Sequence, residues 1–333
     1  MATQNKHSAF IRSKCAFCIK ICTPRVLFYH EEISDRTNVM IKEHFFRIAD
    51  FIFSVKVPKT QDIVVLLPSL IPFRCKKTEA EPILFRFEAF SDELPCETEE
   101  KVIGESVNDL GFTRLKKCVY GYKVELKFTT EGAIHTMIAD SRFKECKAVM
   151  CWEDAYVGSA LCSLLRIAFA QAVVWHNAIS IHASVVKYRG VGYLFMGKSG
   201  TGKSTHSSIW QQNFDECTLL NDDNPTIRIV DGKPMAYGTA WSGKTPCYKN
   251  EGCPLGGMVR LYQASENSFT ALSGVEAFMA VLPGCSVIRQ DVEQYNTLCA
   301  TLTEFIQCTK VGRLDCLPNA EAAQVCYAGL MQE

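Results

Sequence analysis

Residues 197–204 read Gly197-Lys198-Ser199-Gly200-Thr201-Gly202-Lys203-Ser204, a complete G-x-x-x-x-G-K-[ST] run. This run constrains the fold more than any other part of the chain, because it belongs between the end of a strand and the start of a helix. The glycines permit a tight loop whose backbone N–H groups point inward at phosphate oxygens. The helix that follows adds the positive end of its dipole. Lys203 supplies a cation for the β- and γ-phosphates, and the Ser204 hydroxyl suits Mg²⁺. Thr205 continues the loop into the helix. The flanks agree with this placement: 193–196 reads as a strand and 203–211 as a helix. The spacing therefore predicts a nucleoside triphosphate site, with ATP the expected ligand.

A loop of this kind also needs an acidic partner. Asp222 and Asp223 follow Lys203 by 19 and 20 residues, at the end of a short apolar strand, 218–220. Two adjacent carboxylates are suited to holding a metal, Mg²⁺ or Mn²⁺, and to accepting a proton. His182 lies in Ser180-Ile181-His182-Ala183-Ser184, on the strand before the loop strand. If those two strands form a hairpin, its imidazole approaches the phosphates. The run Gly238-Thr239-Ala240-Trp241-Ser242-Gly243-Lys244 leaves two readings open. Either Trp241 and Lys244 face an acceptor, or Trp241 packs in a core at a hairpin end. His206 is expected to face solvent, and Cys247 and Cys253 are not expected to be ligands.

The 333 residues leave room for about two domains. Hydrophobic residues make up 47% and charged residues 22%, which excludes a disordered, collagen-like or coiled-coil chain. The 36 basic and 36 acidic side chains cancel. No nucleic acid or membrane is expected as a partner, since both would call for a basic excess. The 17 cysteines are odd in number and scattered. The first 30 residues are broken by Arg12, Lys14, Lys20 and Arg25, with no signal-peptide core. Reduced thiols in a cytoplasmic protein are the expectation. The apolar stretch 155–175 contains Arg166 and keeps its apolar residues on one helical face. It therefore reads as a core helix rather than a membrane span.

Three regions are expected. Residues 1–39 read as a poorly packed extension, in which Cys15, Cys18 and Cys22 are incidental thiols unless His30 completes a metal site. Residues 40–150 read as a β-rich α+β accessory domain, with strands at 45–57, 63–67 and 122–128. His135 and the carboxylates of 97–100 are expected at its surface. Residues 151–333 read as a mixed-sheet α/β P-loop domain. It has a hairpin about Asp231-Gly232 and helices at 274–282, 291–308 and 319–330.

In order and spacing, Ile181-His182-Ala183-Ser184, the loop at 197–205 and Asn221-Asp222-Asp223 resemble two related families. These are the bacterial HPr serine kinase/phosphorylases and the ATP-dependent phosphoenolpyruvate carboxykinases. With Tyr237–Lys244 included, the pattern is most similar to HPr-kinase-related proteins. The resemblance covers about 178–265. It implies that Lys203 binds the β/γ-phosphates, that Ser204 and one of Asp222 and Asp223 hold the metal, and that an aspartate here activates an acceptor hydroxyl. It also implies that His182 sits beside the phosphates or on the metal, and it carries homo-oligomers as a state known in the family. Thr205 stands where HPr kinases have a glutamate.

The leading expectation is a metal-dependent phosphotransferase acting from ATP on a hydroxyl of a protein, peptide or small molecule. A nucleotide-binding regulatory module without transfer ranks second. A carboxykinase-like lyase ranks third.

Overall fold

The computed structural model describes residues 40–90, 99–108, 111–129, 131–243 and 245–332. The candidate thiols Cys15, Cys18 and Cys22, with His30, lie outside them, as do Glu97 and Lys244. The chain is a mixed α/β protein built on two large sheets.

The first sheet has nine strands in the order β3-β1-β2-β4-β9-β8-β7-β6-β5. They are β1 Ile41–Ile48, β2 Phe51–Pro58, β3 Arg74–Cys75, β4 Ile83–Phe90, β5 Glu100–Asn108, β6 Gly111–Cys118, β7 Gly121–Lys127, β8 His135–Asp140 and β9 Glu145–Val149. The single strand expected over 45–57 is in fact the β1–β2 hairpin, turned at Ala49 and Asp50, which take φ of 51° and 64°. The apolar run expected as a strand at 63–67 is the short helix α1, Ile63–Leu66. Asp62 starts it by accepting the Val64 N–H at 2.9 Å, an N-cap that outweighs the β-branched composition. β7 matches the alternation of its sequence.

Helix α2, Val157–Ala172, lays Leu161, Leu164, Leu165, Ala168 and Phe169 against this sheet. Phe169 meets Phe53 of β2 at 6.0 Å between ring centroids, and Trp241 from the second half at 5.1 Å. One core therefore takes in the first sheet, α2 and Trp241. The apolar span that α2 and the turn after it make up is long enough to cross a membrane by length and composition; here most of it is buried in protein.

The second sheet runs β10-β14-β15-β16-β12-β11-β13, with β18 beside β16 and β17 beside β18. Its strands are β10 Ala178–Ser180, β11 Ala183–Tyr188, β12 Val191–Met196, β13 Thr218–Asp223, β14 Thr226–Val230, β15 Lys233–Tyr237, β16 Gly252–Gln263, β17 Ser268–Leu272 and β18 Lys310–Cys316. β14 and β15 form the hairpin expected at Asp231-Gly232, both with positive φ. Helix α3, Lys203–Asn213, follows the glycine loop. Helices α4 Gly274–Val281, α5 Val292–Cys308 and α6 Ala320–Met331 lie within a residue or so of their expected bounds. β12, β16 and β18 are parallel neighbours, while β11 and β13 are antiparallel additions on the other side of β12.

Candidate functional site

The loop that joins β12 to α3 has the local geometry its glycines require. Gly200 and Gly202 take φ of +80° and +104°, a left-handed region that side chains resist. At Gly197 a Cβ would stand only 3.0 Å from the Thr201 Cβ. Thr201 closes the turn by donating its N–H and hydroxyl to the Lys198 carbonyl, at 3.1 and 2.6 Å. α3 begins at Gly202 with no side chain capping its first amides. Those N–H groups and the helix dipole are left for an anion. Lys198, Ser199, Ser204 and Thr205 are exposed around them.

Lys203 turns inward. Its ammonium donates to His182 Nε2 at 2.9 Å and to the Gly197 carbonyl at 3.3 Å. Lysine is a donor only, so Nε2 accepts and the His182 proton sits on Nδ1. That nitrogen lies 3.0 Å from Asp223 Oδ1 and donates to it. The result is a chain Lys203–His182–Asp223 with its tautomer fixed by its two ends. The backbone brings His182 there through a break between β10 and β11. The strand expected to carry His182 splits at Ile181 and His182, and the His182 N–H donates to the Gly284 carbonyl at 2.8 Å.

The two aspartates have separate tasks because successive side chains on a strand face opposite ways. Asp222, buried, accepts the Ser204 hydroxyl at 2.9 Å. Asp223 faces His182 and the guanidinium of Arg166, whose Nη1 is 3.5 Å from Oδ2; Asn224 also donates to that oxygen. Burial pushes the Asp223 carboxyl up, and the His182 bond and charge, Arg166 and Asn224 outweigh it, so the acid is held below its usual range. Burial lowers the Lys203 ammonium from its ordinary value, and Asp223 and Asp222 offset part of that effect. Burial likewise lowers Arg166.

Asp223 has a backbone φ of 150°. Non-glycine residues rarely adopt it, at a cost of about 1–3 kcal/mol, and such strain collects at functional sites. The turn is held from behind. Asn221 accepts the Asn224 N–H at 3.0 Å and donates to the Trp241 carbonyl at 3.1 Å. The Gly243 N–H donates to the Asp222 carbonyl.

In the run 238–244 Trp241 takes the second of the two readings and packs in a core. It is buried, and its Nε1 donates to the Cys162 carbonyl at 3.1 Å. Its segment is the scaffold of the aspartate turn. His206 is also buried rather than solvent-facing; it accepts the Trp210 Nε1–H at 3.0 Å and meets the Phe195 edge. His135 is fully buried and bonded to Asp154 at 3.0 Å, a structural link and not a surface residue. Cys247 and Cys253 are buried thiols.

Arg166 was legible only as a charge interrupting an apolar helix. That misfit was the signal: a guanidinium on a core helix needs a carboxylate, and Asp223 is the one it meets. Its side chain remains 23% exposed.

Among the described residues no three His, Cys, Asp or Glu side chains gather as a metal cage. Mg²⁺ does not need one. It takes hard oxygen donors and completes its shell with phosphate and water. Ser204 Oγ and Asp222 Oδ1 fit that requirement. Both nitrogens of His182 are engaged elsewhere, so the structure groups His182 with Asp223 and Lys203 rather than with Ser204 and Asp222.

No family model matches the chain, and no curated protein matches it. Among solved structures it is similar to the HPr(Ser) kinase/phosphatase of Coxiella burnetii, at 10% identity and a TM-score of 0.27, over 45% of this chain and 93% of that one. So distant a likeness says nothing of what this chain does.

Proposed function

We propose that this chain is an ATP- and metal-dependent phosphotransferase acting on a hydroxyl group. The observation that carries the reading is the position of Lys203. It is a partly buried ammonium bonded to an imidazole and a carbonyl, at the mouth of a glycine loop, with Asp223 one residue-length away through His182. A cation held without an ion-pair partner is suited to meet phosphate oxygens.

In this mechanism the loop amides and Lys203 bind the phosphate chain. A divalent ion held by Ser204 and Asp222 would neutralise charge on the β- and γ-phosphates. Asp223 accepts a hydrogen bond from the acceptor hydroxyl and takes its proton as the new O–P bond forms and the bond to the leaving ADP oxygen breaks. His182 orients Asp223, and Arg166 stabilises the charge on the transferring group or on Asp223 itself. A weakly basic carboxylate suffices, because phosphoryl transfer is loose and little proton transfer is needed early.

Lys203→Ala tests the phosphate cradle. Calorimetric titration with Mg·ATP should show affinity reduced by about 10- to 150-fold, the loss of a charged contact. Unchanged affinity in a folded variant would remove the assignment.

A further inference from the structure

The phosphoryl chemistry lies on one side of the P-loop strand, where β11 and β13 bring His182 and Asp223. The other side has no role in it. There β16 and β18 run parallel to β12, with Met196 level with Arg260 and Arg260 level with Arg313. Ligands of such sheets bind beyond the carboxyl ends of the strands. Tyr262 lies at that end, two residues or ~6.6 Å past the level of Met196. It is 39% exposed. Its neighbour Gln263 donates to the Gly200 and Thr201 carbonyls, each at 3.4 Å, tying the strand end to the P-loop.

The tyrosine ring is braced. Arg260 Nε donates to its hydroxyl at 3.1 Å, and Arg260 Nη1 is itself held by the Ala280 carbonyl at 2.8 Å. The Arg313 guanidinium lies over the ring, 4.4 Å from its centroid. Arg313 is in turn fixed by a two-pronged pair with Asp315, at 2.8 and 2.7 Å. Arg313 comes from the β18 side. The Arg260 guanidinium lies farther out, 5.9 Å from the same centroid, so the closer cation bracing the ring is Arg313.

We propose that Tyr262, braced by Arg260 and Arg313, is the platform on which the base of the bound nucleoside triphosphate stacks. The proposal rests on the phosphate-cradle reading above and extends it to the base. A purine, with the larger π-face, is the preferred occupant. An aromatic face binds a base at low entropic cost when its ring is already held.

The test is calorimetric titration of the wild type, Tyr262→Ala and Tyr262→Phe with two probes, Mg·ATP and inorganic tripolyphosphate. Tyr262→Ala should weaken ATP by about 5- to 150-fold, the range for one base–aromatic stack. It should leave tripolyphosphate within about twofold, since the phosphate cradle is untouched. Tyr262→Phe should keep most of the ATP affinity. Equal ATP affinity in Tyr262→Ala and wild type would overturn the platform, and so would equal weakening of both probes. A wild type that binds neither probe would instead overturn the phosphate cradle, and the platform with it.

Discussion

The outer part of the first sheet and the cleft of the second use the same charged residue types in opposite ways. On β5, β6 and β7, Lys116, Lys123 and Arg114 each face an acid across the strands. Lys116 sits 2.9 Å from Glu100 and 2.5 Å from Glu125, Lys123 is 2.7 Å from Glu100, and Arg114 is 2.6 Å from Glu105. Charge is cancelled where it arises, and the cluster needs nothing further. In the cleft, Lys203 is bonded to His182 and a carbonyl, and Asp223 alone serves both His182 and Arg166. Together with the uncapped start of α3, this concentrates positive potential at the glycine loop. Burial raises the value of that potential, because a lower dielectric strengthens each contact. The two clusters differ in whether each cation meets a carboxylate directly, as Lys116 does, or reaches one only through a neutral group, as Lys203 does through His182.

The sharpest way to break the comparison is to alter the acid at the end of the Lys203–His182 chain. Asp223→Asn should lower phosphoryl transfer by about 10²- to 10⁴-fold, the usual contribution of a general base. ATP affinity should stay near that of the wild type, as measured by titration beside a turnover assay. Full turnover would return Asp223 to a structural role.

A smaller effect is read by pH. Burial holds His206, behind the P-loop, at about 4, below its ordinary 6.5. Between those values the unfolded chain binds a proton that the folded one does not. Stability is therefore full above about pH 6.5 and falls as the pH drops toward 4, by up to about 3 kcal/mol. His44 and His176 are also lowered, chiefly by burial, and add in the same direction. Denaturant unfolding at stepped pH should show this decline, and His206→Gln should flatten part of it. A slope unchanged by that substitution would show that burial does not shift the His206 imidazole on folding.

The smallest effect belongs to the first sheet. Lys116→Ala should cost no more than about 1 kcal/mol in denaturant unfolding, as surface pairs do, and leave ATP binding unchanged. A loss of ATP affinity there would erase the distinction between the two regions.

Much of the second sheet was legible because its signals are local. The glycine run fixes the β12–α3 loop, Asp231-Gly232 fixes a hairpin, and the amphipathic periods of α4 to α6 fix their bounds. What was not legible depends on distant partners. The break at Ile181 and His182 comes from Gly284, about a hundred residues on. The burial of His206 and His135 comes from Trp210 and Phe195 in one case and Asp154 in the other. Arg166 enters the site only because α2 packs on the first sheet while pointing one charged side chain at the second. In the first sheet, the hairpin within 45–57 was hidden because Ala49 and Asp50 are ordinary residues in left-handed backbone, and 63–67 misled because an apolar run fits strand and helix equally.

The central claim is that the cleft transfers the γ-phosphoryl group rather than only binding ATP. The most direct measurement incubates the purified protein with ATP, Mg²⁺ and a cell-extract fraction, followed by mass spectrometry for new phosphate on hydroxyl groups. The account predicts a phosphorylated product made by the wild type and absent with Lys203→Ala. Saturable ATP binding with no new phosphate on any acceptor, or the same product from Lys203→Ala, would contradict it.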